Sequence, residues 1–457
     1  MGAGGGGEAG RTTGRPPEAV ERFLAQFEAF AANGAGRSPA WLRSLRAAAI
    51  ARFAELGFPT TREEAWRFTS VAPLAETAFV PAPPPAGAAA PALAEREGAA
   101  RLVFVNGRFA PEISSLGGLP AGVRVGGLPA ALGGGGGDAH LVEQHLARHA
   151  GFADNAFAAL NTAFLADGAF VHVPPGLALE RPLELLFVTV PGTAAAVAHP
   201  RALVILDQDA RATLVERFQG GASAPYWTNE VTEVVVGDGA RIELVRVQDE
   251  GAAAWHVATT HTRQGRDSEL LLHPIVLGAR LARHDITAVL DGPGASLILN
   301  GLYLLGGAQH ADHHTVIDHA QPDCQSHEFM NGVLDGRARG VFNGRIIVRP
   351  GAQRTDSKQT NHNLVLSEEA RADSQPQLEI YADDVKCTHG ATLGPLDARE
   401  LFYLQSRGLA PGDARALLTY GFGAEILGRV AHPGLRAELD AVVRARLAAA
   451  AHLRADL

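Results

Sequence analysis

The chain has 457 residues, with 40 basic against 49 acidic side chains, a net charge of −9, 52 Gly, 27 Pro and 46% hydrophobic residues. This length can bury one large core or two to three smaller ones, and the acidic balance argues against a basic nucleic-acid surface. Only two cysteines (Cys324, Cys387) and two lysines (Lys358, Lys386) occur, so a disulfide framework is excluded and a reducing, cytoplasmic setting is expected.

The N-terminal stretch MGAGGGGEAGRTTGRPP has no apolar core for a signal peptide, and Gly6 stands where a myristoylation signal needs Ser or Thr. No apolar run reaches the roughly 18 residues that span a bilayer. Helical spacing of Val20, Phe23, Leu24, Phe27 and Phe30 predicts a helix over Pro17 to Phe30. A second is predicted after Ser38-Pro39, as N-cap and first-turn proline, through Trp41, Leu42, Leu45, Ala49 and Phe53, with Gly57 and Pro59 ending it. Pro81 to Gly87 reads as a semi-rigid spacer and Gly133 to Gly137 as a flexible one. Between them RLVFVNGRF (Arg101 to Phe109) predicts a hairpin turning at Asn106-Gly107.

From about residue 170 to 390, segments rich in Val, Ile, Leu and Thr start near Asn229, Ile242, Trp255, Glu269, Leu281, Ser296 and His310, about 13 to 14 residues apart. A longer beat aligns Leu214, Leu244, Leu270 and Leu297, spaced 30, 26 and 27 residues. Units too small to bury their own apolar face must share a core with their neighbours, which predicts a parallel β-helix or solenoid, with an antiparallel sandwich as the alternative. Small residues at Asp238-Gly239, Gly292-Pro293-Gly294, Asp335-Gly336 and Pro350-Gly351 fall at one phase of this repeat and favour the solenoid. Helices return at the C-terminus. Asp397 and Glu400 form a capping box and Gly408 stops that helix, Asp413 opens a second, and a third follows Pro433, together a module appended to the solenoid's end. The predicted division is residues 1–100 (helical region and linker), 101–392 (β-helix core) and 393–457 (C-terminal helices).

Neither lysine lies in a Gly-Lys-Ser/Thr context, so the chain carries no P-loop. No glycine run sits between a strand and a helix for a dinucleotide, and Gly-x-Ser-x-Gly is absent. His310, His313, His314, His319, Cys324 and His327 crowd 18 residues, but in a strand His313 and His319 share one face and His310 and His314 the other, so no single metal collects them all. These histidines either line a sheet or subunit surface, or some of them hold metal. In Asp383-Asp384-Val385-Lys386-Cys387-Thr388-His389-Gly390, Cys387 and His389 point to the same side of an extended chain, about 6 to 7 Å apart, and Lys386 is expected to favour the thiolate. Two ligands do not complete a site, so either another chain adds the rest or the motif is a capped strand end.

Residues 334–409 (LDGRARGVFNGRIIVRPGAQRTDSKQTNHNLVLSEEARADSQPQLEIYADDVKCTHGATLGPLDARELFYLQSRGL), with His313-His314-Thr315, Asp318-His319 and the N-terminal PTTREEAWRFT (Pro59 to Thr69), resemble the SufD branch of the SufB/SufD family of iron-sulfur cluster assembly scaffolds. The resemblance implies a mainly β fold, a right-handed parallel β-helix core flanked by N- and C-terminal helical regions. It implies a non-enzymatic scaffold that pairs through the β-helix with a SufB-like paralogue. A SufC-type ATPase would dock on the C-terminal helices, a surface to which Asp397, Phe402, Tyr403, Arg407 and Gly408 are assigned. A nascent iron-sulfur cluster would be held at the paralogue contact by His389, with Cys387 as a further candidate ligand, and no nucleotide would bind this chain. The competing expectations are a β-helix carbohydrate-active enzyme and a self-sufficient metal-binding homodimer using His310 to His327.

Overall fold

The computed structural model describes residues 17–33, 38–84, 100–134, 136–190, 192–221 and 224–455. The leader at residues 1–16 and the part of the proline spacer beyond residue 84 lie outside these residues. Helices α1 (Glu18–Ala32) and α2 (Ala40–Leu56) form where the apolar spacing places them, and Val20, Phe23, Leu42, Ala49 and Phe53 are buried. Pro39, not Ser38, is the N-cap of α2, and the Ser38 hydroxyl instead accepts from Arg46 Nη1 at 2.9 Å. After α3 (Ala72–Glu76) and β1 (Val80–Pro81), β2 (Ala100–Val105) and β3 (Arg108–Phe109) form the expected antiparallel hairpin. Its Asn106 and Gly107 have φ of 52° and 76°, the two left-handed residues of a primed turn.

Beyond β4 (Arg124–Gly127) come two short helices, α4 (Leu128–Gly133) and α5 (Gly137–His145), which take in the two ends of the glycine stretch expected to be flexible; Gly135 lies outside the described residues. Helix α6 (Ala156–Ala163) is buried on every side, capped by Asn155 Oδ1, which accepts from the Phe157 and Ala158 amides at 3.0 Å each. Periodicity does not anticipate it, because an octet buried on every side, with only Asn161 and Thr162 polar, has no exposed face to mark a period.

The solenoid begins with β5 (Ala169–Val173), β6 (Leu183–Thr189), β7 (Ala196–Ala198), β8 (Arg201–Leu206) and β9 (Arg211–Gly220). It continues through β10 (Tyr226–Val236), β11 (Arg241–Asp249), β12 (Ala254–Gln264), β13 (Glu269–Val276), β14 (Leu281–Leu290) and β15 (Ser296–Leu305). Its last strands are β16 (His310–His319), β17 (Gln325–Leu334), β18 (Arg339–Val348), β19 (Thr355–Val365), β20 (Arg371–Ile380) and β21 (Val385–Gly394). From β8 onward, successive strands alternate between two parallel sheets, one ending in β20 and the other in β21, over about seven turns. This is the predicted solenoid, and its strand starts fall within three residues of the expected ones.

One register differs from expectation. Leu214 aligns with Leu244, but Leu244 aligns with Leu272, while Leu270 lies between Ile242 and Leu297. A slip of two residues keeps every side chain on its face, so the apolar pattern cannot reveal it. Inward side chains such as Leu214, Leu244, Leu272 and Leu299 are wholly buried and stack into one continuous core, each contributing about 1.5–3 kcal/mol of transfer energy.

The corners carry their own ladder. Asp209, Gly239, Asp267, Gly294, Asp323 and Arg354 have φ between 51° and 75°, one per turn at one corner. The amide of each donates to a carbonyl of the next turn, as in Gly239 N to Arg266 O at 2.8 Å. Aspartate and glycine are the residues that enter this left-handed region most readily.

Both outer faces are covered for part of their length. Phe23, Phe53, Phe79 and Phe157 pack on Trp227, Trp255 and Leu281 of one sheet. Helices α8 (Pro411–Leu427) and α9 (Pro433–Ala455) lie across the other, where Ile426, Leu427, Leu439 and Val443 meet Val245, Ile275, Leu302 and Val333. They therefore clasp the side of the solenoid and do not extend its end. Ala410 is the N-cap of α8, so Asp413 is a first-turn residue and not a cap.

Candidate functional site

Among the described residues, strand β21 is the last strand of its sheet and pairs only with β19, which leaves its other edge open. Cys387 aligns with Ser357 and His389 with Gln359. Ser357 and Gln359 are buried in the solenoid interior, so Cys387 and His389 share the inward side of the open end, as the alternation predicts. Cys387 is half-buried against the core, whereas His389 is exposed.

Lys386 points the other way. It lies on the outer face in register with Asp356, whose carboxylate is 3.7 Å from Lys358 Nζ. The expectation that Lys386 favours a Cys387 thiolate is overturned: burial, reinforced by the negative charge of Asp356, pushes the thiol's pKa up. Cys324 is remote from this motif, wholly buried, and donates to the Gly292 carbonyl at 3.3 Å.

The floor beneath the motif is polar. The column holding Leu270 and Leu297 continues as Ser326, Ser357 and Cys387, and that of Leu272 and Leu299 continues as Glu328, Gln359 and His389. Ser326 bonds to His319 Nε2 at 2.8 Å and to Ser357 at 2.7 Å. Gln359 Nε2 donates to Glu328 Oε2 at 2.7 Å, and burial pushes the Glu328 carboxyl up to about 7. Among the described residues no three His, Cys, Asp or Glu side chains group to hold a metal ion, so Cys387 and His389 offer at most two ligands.

Beyond β21, α7 (Ala398–Ser406) starts at Asp397, whose carboxylate accepts from the Arg399 amide at 2.7 Å. The helix buries none of its residues: Phe402 is 72% and Tyr403 56% exposed. The Arg407 guanidinium sits 5.1 Å from the Tyr403 ring centre, and Gly408, at φ 95°, turns the chain away.

A family model described as "SUF system FeS cluster assembly, SufBD core domain" matches residues 188–422, and one for the "SufBD protein N-terminal region" matches 97–185. An iron-sulfur cluster assembly SufBD family protein of Synechocystis is 35% identical over 86% of this chain and 88% of its own. The iron-sulfur cluster assembly protein SufD of Escherichia coli is 30% identical over 92% and 95%, and SufD of Bacillus subtilis 27% over 63% and 66%. The chain belongs to the SufB/SufD family. Its likeness to these two relatives places it with the SufD members.

The remaining SufB/SufD-like motifs serve the fold. In the PTTREEAWRFT segment, Trp66 lies against the Arg283 guanidinium, 3.7 Å from ring centre to carbon, and the Ala65 carbonyl accepts from Arg283 Nη1 at 2.7 Å. Arg283 pairs with Asp312 at 2.7 Å and Asp285 at 2.8 Å. The Thr69 hydroxyl meets Asp312 at 2.6 Å and His310 at 2.9 Å, while His314 pairs with Asp312 at 3.1 Å. Burial alone would raise the Asp312 carboxyl, but Arg283 and His314 hold it well below the usual range. His310, with Asp312 and Arg283, thus fastens the N-terminal segment to the solenoid, while His314 pairs with Asp312 within its own strand.

His313 and His319 point inward, His313 stacked on Tyr303 with ring centres 5.2 Å apart, and His327 is exposed on the other sheet. The expected alternation of faces holds, and the crowd of histidines is not one site. Ser326, Glu328, Ser357 and Gln359 are not singled out by motif spacing. Their signal is the appearance of polar residues at inward positions that hold leucine two turns earlier.

Proposed function

We propose that the chain is a SufD-type scaffold of iron-sulfur cluster assembly, contributing His389 and, secondarily, Cys387 to a cluster site completed by a second chain. The cluster is cargo, built and passed on. The observation that carries this reading is the terminal turn: two strands, β20 and β21, each with one edge left open among the described residues, and at that open end two metal-competent side chains over a polar floor. A SufB-like paralogue whose strands continue these edges would supply the missing ligands. Imidazole and thiolate both suit iron, and a neutral imidazole coordinates without losing a proton. The raised pKa of Cys387 makes His389 the readier donor near neutral pH.

A SufC-type ATPase fits the exposed aromatic face of α7, with Asp397 and Gly408 setting the two ends of that helix. Nucleotide hydrolysis then belongs to the partner, and this chain acts as a cytoplasmic scaffold, not an enzyme. The three-part division at about residues 100 and 392 remains our reading of its organisation.

Co-expression with both partners tests this. The His389→Ala variant is expected to assemble with unchanged stoichiometry while iron and sulfide retained on the complex fall about tenfold. Unchanged cluster yield would reduce His389 to a structural role.

A further inference from the structure

Gln359 occupies a position that its column does not explain. Its neighbours two and more turns below are Leu299, Leu272 and Leu244, and Gln359 itself is 1% exposed. Its Nε2 is committed to Glu328, yet its Oε1 is buried with no hydrogen-bond partner among the described residues. An orphan acceptor in a core bears its full desolvation penalty, where a leucine would bear nothing of the kind.

The opposite wall makes room for this amide. Gly344 of β18 faces it, and a Cβ there would stand 2.3 Å from Gln359 Nε2, 2.7 Å from its Cδ and 2.6 Å from the Phe342 ring. Glu328 fixes which end of the amide points down the column, so the oxygen is left for a donor elsewhere. The next residue in the column is His389, one strand spacing away, about 4.8 Å. An imidazole at that distance has the reach and the N–H to fill the vacancy.

This inference rests on the cluster reading above. A histidine that ligates metal through one ring nitrogen carries its proton on the other, and an acceptor for that N–H fixes both tautomer and ring plane. We propose that Gln359, braced by Glu328 and given room by Gly344, is the positioning residue for His389: its Oε1 accepts the imidazole N–H and leaves the other ring nitrogen bare for the cargo metal.

The test uses the full chain labelled with 15N-histidine, its ring nitrogens read by long-range 1H–15N correlation at pH 8 and assigned with His389→Ala. His389 in the unaltered chain is expected to show one neutral tautomer. Gln359→Met, similar in size but without the acceptor, and Gly344→Ala, which displaces the amide without removing it, should both give the mixed tautomers of a free imidazole. Gln359→Glu, which keeps an acceptor, should retain the single tautomer.

A mixed tautomer in the unaltered chain would overturn the proposal, and that measurement needs no variant to fold. So would a single tautomer that survives in Gln359→Met. Because the readout needs neither cluster nor partner, its failure is distinct from failure of the cluster reading, which appears as unchanged yield in His389→Ala. In the assembled complex, Gln359→Met should lower cluster retention about tenfold with assembly intact, and unchanged retention would also overturn the proposal.

Discussion

Cys387 and Lys386 are adjacent in sequence and opposed in space, because a strand turns successive side chains to opposite faces. Lys386 therefore lies on the outer face, in register with Asp356, while the thiol meets the core inside, where burial disfavours its charged form. At pH 8, Cys387 should react with a thiol-directed alkylator more slowly than a free cysteine peptide. Cys324, enclosed on all sides, should react only after unfolding. Counting labelled thiols by mass before and after denaturation checks both statements. A native Cys387 faster than the peptide would mean that a cation does reach it.

At the scale of elements, the corner ladder and α7 behave in opposite ways. Gly294 is needed twice over: its φ of 75° is strained for other residues, and a Cβ would come within 2.2 Å of Asp267 Oδ1. Gly294→Ala should therefore cost about 1–2 kcal/mol in chemical denaturation, and a change below a few tenths would show that the corner can relax. Helix α7 gives up no comparable energy when altered, since it buries nothing within this chain. Phe402→Ser is expected to leave the denaturation midpoint unchanged while weakening capture of a SufC-type ATPase on immobilised chain. Unaltered capture would remove Phe402 from the docking surface.

Over the whole molecule, the buried titratable groups, spread from α5 to the last turns of the solenoid, set the pH dependence of stability. His313 and His319 are buried, and burial lowers both to about 4, with His284 also well below its ordinary value. Such groups bind fewer protons folded than unfolded. The stability they contribute is full above about pH 6.5 and is lost as pH falls from there towards 4. Glu216 and Glu328, pushed up to about 7 by burial, act the other way, adding stability as pH falls from about 7 to 4.5. With His145, His149, His199 and His310 lowered as well, the imidazoles outnumber the carboxyls. Stability should fall between pH 6.5 and 4.5 by about 1.4 kcal/mol per pH unit for each net proton, and the melting temperature with it. Calorimetry across that range decides it, and a melting temperature that rises would show the carboxyls dominant.

The solenoid, its hairpin at Asn106-Gly107 and the shared face of Cys387 and His389 were legible in the sequence, because each follows from a short local period or a turn chemistry that few residues satisfy. The register of Leu244 on Leu272 was not legible, since a two-residue slip leaves the pattern of faces unchanged. Nor was α6, whose wholly buried octet marks no exposed face, or the clamp of Arg283, Asp312 and Thr69, which joins residues more than 200 positions apart. The same holds at the candidate site. Spacing alone pairs Cys387 with His389, but only the stacking of turns sets Gln359 and Glu328 beneath His389 and turns Lys386 outward. By itself the sequence determined what repeats, because local sterics and burial act over a few residues. What lies above what was decided by the tertiary structure, because the length of each corner sets the register of the next strand.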